Sequence, residues 1–286
     1  MYVALFVCMT TRAIHIELVS DLTTQAFLAA LRRFVSRRGC PAKILKERDE
    51  EIGATSASDE RQQETQAFAV KHGIEFVFIP PRSPHFGGSW ESLIKRIKHH
   101  VIRTMGNERF TQEEMLTMLA QIEGCINSRP LTPLSSDATD LSALTPGHFT
   151  ALRELTAAPD EPLTDYPENR LSKWERLQQR VQFFWKRWTT EYLHTLQQRN
   201  KWTEEHPSLI IGDMVLVKED NLPPMKWMIG RVIAVSPGED ARVRVADVRT
   251  STGVYRRAVA KLCLLPIERD LQKHQFLPGQ DGSVSR

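Results

Sequence analysis

The sequence predicts a mixed α/β domain that a long helix joins to a small all-β barrel. Apolar runs typical of strands alternate with helical patterns over residues 1–127, which indicates an α/β core. Over residues 171–199 apolar side chains recur at three- and four-residue steps, which predicts one long amphipathic helix. From Gly212 onward the apolar runs are short and divided by proline and glycine pairs, which predicts four or five strands in a small barrel.

The predicted core begins with a β-hairpin. Residues 2–9 and 13–19 are rich in β-forming side chains, and a tight connection separates the two runs. In the second run His15 and Glu17 alternate with apolar residues, so we expect both side chains on a wetter, solvent-facing side of the sheet. Two further strands are predicted over residues 42–45 and 74–79.

Capping signals set the boundaries of the predicted helices. Thr23 or Asp21 can cap the first helix, and Gly39 can end it. Thr111 and Glu114 form a capping box ahead of another helix. The helices predicted in the core span residues 24–38, 66–71, 89–105 and 112–127.

Composition divides the rest of the chain. Residues 128–170 hold six prolines and clusters of serine, threonine and aspartate, which predicts an extended connector. The last residues show no periodicity and are predicted to be disordered. The predicted organisation is a core over 1–127, a connector over 128–170, a linker helix over 171–200, a barrel over 207–266 and a disordered tail over 267–286.

The long helix and the barrel are both basic. The helix carries six basic residues against two acidic ones, which fits either a solvated linker or a rod lying beside nucleic acid. In the barrel, Arg242 and Arg244 alternate with valines and share one face, which is either solvated or in contact with DNA. Arg231 is the third barrel residue that we predict to contact DNA. The basic residues of the helix are Lys173, Arg176, Arg180, Lys186, Arg187 and Arg199.

Residues 80–100 carry the candidate site. Three prolines and the Gly87–Gly88 pair predict a loop, and the helix that follows has Glu91 in its first turn. Lys95, Lys98 and Arg103 follow on that helix. A carboxylate at a loop–helix junction beside a basic face can hold a divalent metal next to a phosphate backbone. The alternative from spacing alone is a Glu91–Lys95 ion pair on the surface.

Three motifs carry a resemblance to a known family. PPRSPHFGGSWE at 80–91, INSRPLTPLSSD at 126–137 and LTPGHF at 144–149 resemble the integrases of Bel/Pao-type long-terminal-repeat retrotransposons. The resemblance implies a ribonuclease H-like core, whose first strand is missing from this chain, followed by an SH3-like barrel that binds DNA. It also implies that Glu91 is the last carboxylate of an Asp-Asp-Glu triad that holds Mg²⁺ or Mn²⁺ while DNA is cut and joined.

The other two carboxylates of that triad lack clear counterparts. Glu47 falls at the position of the second aspartate, Asp49 is the nearest aspartate, and the segment is one residue short of the family pattern. A glutamate there is one methylene longer and should misplace a metal, so these acidic residues form either a surface loop or a rebuilt metal site. The strand bearing the first aspartate lies upstream of Tyr2. We therefore expect a core that is weakened, closed over the gap, or completed by residues outside this sequence.

Three functions remain open at this point. The chain can be a retroelement-derived DNA-binding protein that has lost strand transfer. It can be an active metal-dependent strand transferase that uses Glu91 with Glu47 or Asp49. It can also be a protein interaction module, with the Trp-rich helix 171–199 as a self-association surface.

Composition narrows the setting and the partners. The four cysteines are far apart and show neither zinc-finger spacing nor a disulfide framework, which favours an intracellular, reducing environment. The apolar run 2–9 is too short to span a membrane. We expect DNA and possibly a second copy of the chain as partners, no membrane, no small-molecule substrate and a nuclear location.

Overall fold

In a computed structural model, the described residues are 1–47, 56–79, 88–106, 108–135, 137, 139–197, 209–238 and 242–266. The chain forms two units. Unit 1 contains the described residues of Met1–Arg129, Pro146–Thr189 and Pro223–Lys226. Unit 2 contains those of Pro130–Thr145, Thr190–Leu222 and Trp227–Arg286.

Unit 1 alternates strands and helices, as the sequence predicts. The capping box of Thr111 and Glu114 is present, and the Thr23 side chain accepts from the amide of Ala26, which confirms both predicted helix starts. Its strands are β1 (Tyr2–Val7), β2 (Ile14–Val19), β3 (Lys43–Glu47) and β4 (Glu75–Ile79). Its helices are α1 (Thr24–Arg38), α2 (Ser56–Lys71), α3 (Gly88–Met105), α4 (Gln112–Asn127), α5 (Pro146–Ala151) and most of α6 (Lys173–Leu196).

The strands of unit 1 form two separate ladders within the described ranges. β1 and β2 pair as an antiparallel hairpin, and β3 and β4 pair in parallel. Both ladders pack on one apolar cluster, because Phe6 of β1 and Ile44 of β3 contact a core that includes Leu31 and Phe76. The described strands therefore do not close over the predicted gap.

The free edge of β2 is closed by side chains of α4 instead of a strand. Asn127 donates from its amide nitrogen to the carbonyl of Ile14 at 2.9 Å and accepts from the amide of Ile14 at 2.9 Å. One turn earlier, Glu123 accepts from the amide of Ile16 at 2.8 Å. Because an unpaired buried amide is costly, these contacts let β2 lie buried without a strand neighbour on that side.

Burial of β2 corrects one prediction. His15 and Glu17 were expected on a solvent-facing side, but both side chains are buried, at 4% and 3% exposure. The side chains of His15 and Glu17 face α1 and α4. These helices supply charged partners, which the alternation of residues along β2 does not reveal. Helix α2 also begins earlier than the predicted 66–71, because its polar first half has no apolar repeat to mark it.

Unit 2 is built on one antiparallel sheet of five strands in the order β10–β9–β8–β7–β11. One face buries a cluster that includes Val215, Val232 and Val248. The other face is covered as well, since Leu216 and Leu265 pack with Leu193 of α6 and with Ala143. The strands are β7 (Met214–Val217), β8 (Ile229–Pro237), β9 (Val243–Thr250), β10 (Gly253–Ala258) and β11 (Leu262–Leu264).

The segment predicted as an extended connector is divided between the units, with residues 130–145 in unit 2 and residues 146–170 in unit 1. It contains a short antiparallel ladder of β5 (Thr132–Pro133) and β6 (Ala143–Leu144). The Tyr192 hydroxyl donates to the carbonyl of Pro130, and the Thr132 hydroxyl donates to the carbonyl of Pro266 at 3.0 Å. These contacts explain why proline-rich sequence is ordered here. None of the helices that the structure describes is both long enough and apolar enough to cross a membrane.

Candidate nucleic-acid interface

Helix α3 presents one buried face and one basic face. Leu93, Ile97 and Val101 recur at helical spacing and are buried. On the opposite side Lys95, Lys98 and Arg103 are exposed, and no carboxylate among the described residues pairs with them. We call these three residues the α3 basic face. Exposed cations on the solvent side of one helix are an electrostatic match for a phosphate backbone.

Glu91 lies in the first turn of α3 and is half-buried. Across the described ranges it forms no ion pair with Lys95, so the surface pair considered as its alternative role is not observed. Glu47 is the last residue of β3, but its side chain and all of Asp49 lie outside the described residues. The triad therefore stays a prediction.

The described donors do not by themselves make a two-metal centre. Apart from 48–55, 80–87 and the other gaps in the described ranges, no group of three or more His, Cys, Asp or Glu side chains could hold a metal ion. Mg²⁺ takes several oxygen ligands, and the carboxylate of Glu91 alone cannot position two ions.

The barrel arginines fall into two groups. Arg242 lies just before β9 and Arg244 near its start, and both side chains are exposed. The β8–β9 pairing is irregular here, since Val245 pairs with Ser236 and Val243 with Pro237, so the shared face of the two arginines stays a prediction. Arg249, on the opposite side of β9, is also exposed and was not predicted as a contact.

Arg231 has a different environment from the other predicted contacts. Its side chain is 5% exposed, and its guanidinium donates to three backbone carbonyls. The distances are 2.9 Å to Ser135, 3.0 and 3.2 Å to Asp140, and 3.0 Å to Gly212. A guanidinium used in this way anchors the 135–140 segment and presents no open side to a phosphate.

The basic character of α6 is largely neutralised within unit 1. Lys173 lies 2.7 Å from Glu114, and this hydrogen bond lowers the pKa of the Glu114 carboxyl. Arg176 and Arg180 each lie 3.4 Å from Glu108. These acidic partners are distant in sequence, so residue counting along the helix could not reveal them. Lys186 and Arg187 are exposed on the described part of α6, and Arg199 lies outside that part.

The chain matches a family model and is similar to a solved structure. A family model described as a family of unknown function (DUF5641) matches residues 172–265, which contain α6 and the five-stranded sheet. The chain is also similar to a chain in the cryoEM structure of the simian T-cell lymphotropic virus intasome in complex with PP2A regulatory subunit B56 gamma. That match has 12% identity and a TM-score of 0.38, and covers 93% of this chain and 73% of the other.

No curated protein matches the chain. A match with a TM-score of 0.38 assigns neither a fold family nor a role to this chain. The family model covers too little of the chain to assign it to that family. What the structure itself establishes is a mixed α/β unit and a unit with a five-stranded antiparallel sheet.

Proposed function

We propose that this chain is an integrase-like, retroelement-derived protein that binds DNA and has lost strand transfer. In this proposal unit 1 derives from a ribonuclease H-like core and the five-stranded sheet from an SH3-like barrel of the Bel/Pao type. The observation that carries it is the α3 basic face: three exposed cations on one helix side with no described acidic partner. Arg242 and Arg244 supply a second exposed basic group.

The proposal concerns phosphate contacts, which release counterions and make affinity depend on salt. Each neutralised phosphate of duplex DNA contributes about 0.9 to the slope of log affinity against log salt concentration. Replacing Lys95, Lys98 and Arg103 together by glutamine should therefore weaken duplex binding and reduce that slope by up to about three. Fluorescence anisotropy over a salt series measures both effects.

A matched control is available on α6. Lys173→Gln makes the same charge change at an exposed lysine whose ammonium already pairs with Glu114, so it should leave the salt slope unchanged. Wild-type affinity that hardly varies with salt would contradict the proposal and favour a protein-interaction role. An equal loss of slope in the Lys173 variant would show that the response is not specific to the α3 basic face.

Loss of strand transfer is tested separately. The purified chain should join no DNA ends in Mg²⁺ or Mn²⁺, because Glu91 is the one triad position with a clear match in the sequence. Any joining activity that Glu91→Gln abolishes would overturn this part of the proposal and leave the DNA-binding part intact. A DNA partner also implies a nuclear location, which imaging of the tagged chain can check.

A further inference from the structure

His15 is buried between two carboxylates in unit 1. Its Nε2 lies 2.9 Å from Oε1 of Glu17, its neighbour on β2. Its Nδ1 lies 3.2 Å from Oε2 and 3.3 Å from Oε1 of Glu123 on α4. The rings of Phe6 and Phe34 cover the imidazole, with centroids 6.4 and 5.7 Å away. Water therefore has little access to the ring.

Three arginines of α1 donate to these carboxylates, and Arg37 and Arg38 do so at oxygens that also contact His15. Arg33 and Arg37 donate to Glu17 at 2.6 and 2.8 Å. Arg38 donates to Glu123 at 2.5 Å, and the same carboxylate accepts from the amide of Ile16 at 2.8 Å. We call the charged residues of this group the His15 cluster: His15, Glu17, Glu123, Arg33, Arg37 and Arg38.

The two hydrogen bonds from His15 to Glu17 and Glu123 require the doubly protonated form of its imidazole ring. A neutral imidazole has a single N–H, so it can donate to Glu17 or to Glu123 but not to both. Its other nitrogen would then direct a lone pair at a carboxylate oxygen in a buried site, where that contact is repulsive. The imidazolium donates to both carboxylates at once and joins β2 to α4.

The charges around the ring set its protonation. Burial alone lowers the pKa of His15, while the hydrogen bonds and attraction from Glu123 and Glu17 raise it, and the net pKa is raised. The arginines oppose a further positive charge. Their side chains are 41%, 59% and 27% exposed, so solvent screens their effect on the ring.

We propose that the His15 cluster is a proton-controlled latch that fastens α4 to β2 and releases this contact when His15 loses its second proton. The contact includes the bond from Ile16 to Glu123, so release leaves the Ile16 amide at the edge of β2 without this partner, while Asn127 still holds Ile14. A group with a raised folded-state pKa stabilises fully below its open-state pKa, about 6.5 for histidine, and that stabilisation is lost as the pH rises through its folded-state pKa.

Amide hydrogen exchange tests the latch on the full chain. Between the open-state and closed-state pKa of His15, protection of the Ile16 amide should fall up to about tenfold per pH unit, beyond the intrinsic base-catalysed rate. His15→Gln should remove this extra dependence. His99→Gln, which changes an exposed histidine on α3, should keep it. A wild-type Ile16 amide whose protection follows only the intrinsic rate would overturn the proposal.

A titration of the wild-type chain keeps the proposal testable if His15→Gln does not fold. In the imidazole NMR spectrum His15 should titrate above the ordinary histidine value of about 6.5, and loss of its second N–H signal should coincide with the fall in Ile16 protection. Titration of His15 at or below about 6.5, or Ile16 protection that persists after deprotonation, would show that the cluster does not act as a latch.

Discussion

The side chain of Asn127 makes the two backbone hydrogen bonds that a neighbouring strand would otherwise make to Ile14 of β2. Its amide group occupies both backbone positions of Ile14, one as donor and one as acceptor, and the residue is 1% exposed. The asparagine is the last residue of α4, one turn after Glu123, which bonds the same edge of β2 at Ile16. Only an amide carries both a donor and an acceptor at the tip of a side chain of this length.

Replacing Asn127 by leucine should lower the free energy of unfolding of unit 1. The substitution leaves the amide and carbonyl of Ile14 without partners, and each orphaned buried group costs about 1–3 kcal/mol, or about 2–6 kcal/mol together. Urea unfolding followed by circular dichroism measures the loss. The matched control is Gln112→Leu at the exposed start of α4, and a similar loss in both variants would contradict the assigned role.

Predictability at the residue scale depends on how far apart the partners are in sequence. The capping box could be predicted because Thr111 and Glu114 are three residues apart. The environment of His15 could not, because Glu123 lies 108 positions away and only the fold brings it to the ring. Arg231 was assigned to DNA from its charge, and its three carbonyl partners lie in loops that carry no local signal.

At the scale of elements, hydrogen bonds from Arg231 of β8 to the carbonyls of Ser135 and Asp140 hold this part of the chain against the sheet of unit 2. Replacing Arg231 by methionine keeps much of the side-chain volume but removes every donor to Ser135, Asp140 and Gly212. The three carbonyls belong to part-buried residues that water can partly reach, so we expect a loss of about 1–3 kcal/mol in the stability of unit 2. Thermal or urea unfolding of the full chain measures it.

Arg249 offers a matched control for this change. It lies opposite Arg231 in the pairing of β8 with β9, yet it is exposed. Arg249→Met should therefore cost little stability and should reduce DNA affinity if that face contributes phosphate contacts. Should Arg231→Met leave stability unchanged and reduce only DNA affinity, the anchoring role would be wrong and the original DNA assignment correct.

Elements with a strong apolar repeat were predicted closely, and short elements were not. The predicted helix over 171–199 appears as Lys173–Leu196, because its apolar residues continue over several turns. Strands β5, β6 and β11 have only two or three residues and were missed. Runs this short give no period, and they form here because backbone contacts within unit 2 hold them.

For the molecule as a whole, the cluster around Glu123 predicts a decline of stability in acid. Burial raises the pKa of Glu123, but the hydrogen bonds from His15 and Ile16 and the Arg38 charge lower it, and the net pKa is lowered. A lowered folded-state pKa adds stability above the unfolded-state value, about 4.3, and this stability is lost as the pH falls through the folded-state pKa.

Urea unfolding between pH 2 and pH 6 checks this decline. Wild-type stability should fall toward acid more steeply than that of Glu123→Gln, which lacks the titrating group and should already be less stable at pH 5.5. Glu113→Gln, an exposed change in the first turn of α4, should follow the wild-type curve. Parallel curves for wild type and Glu123→Gln would show that the carboxylate does not govern the acid response.

Helix α6 belongs to both units: its residues up to Thr189 lie in unit 1, and those from Thr190 lie in unit 2. A deletion or recombination junction at residue 172, where the family match begins, would separate the buried Phe184 and Trp188 from the rest of unit 1. Expression of either half alone should therefore yield insoluble product, and during evolution the two halves could be exchanged between genes only at the cost of rebuilding a core.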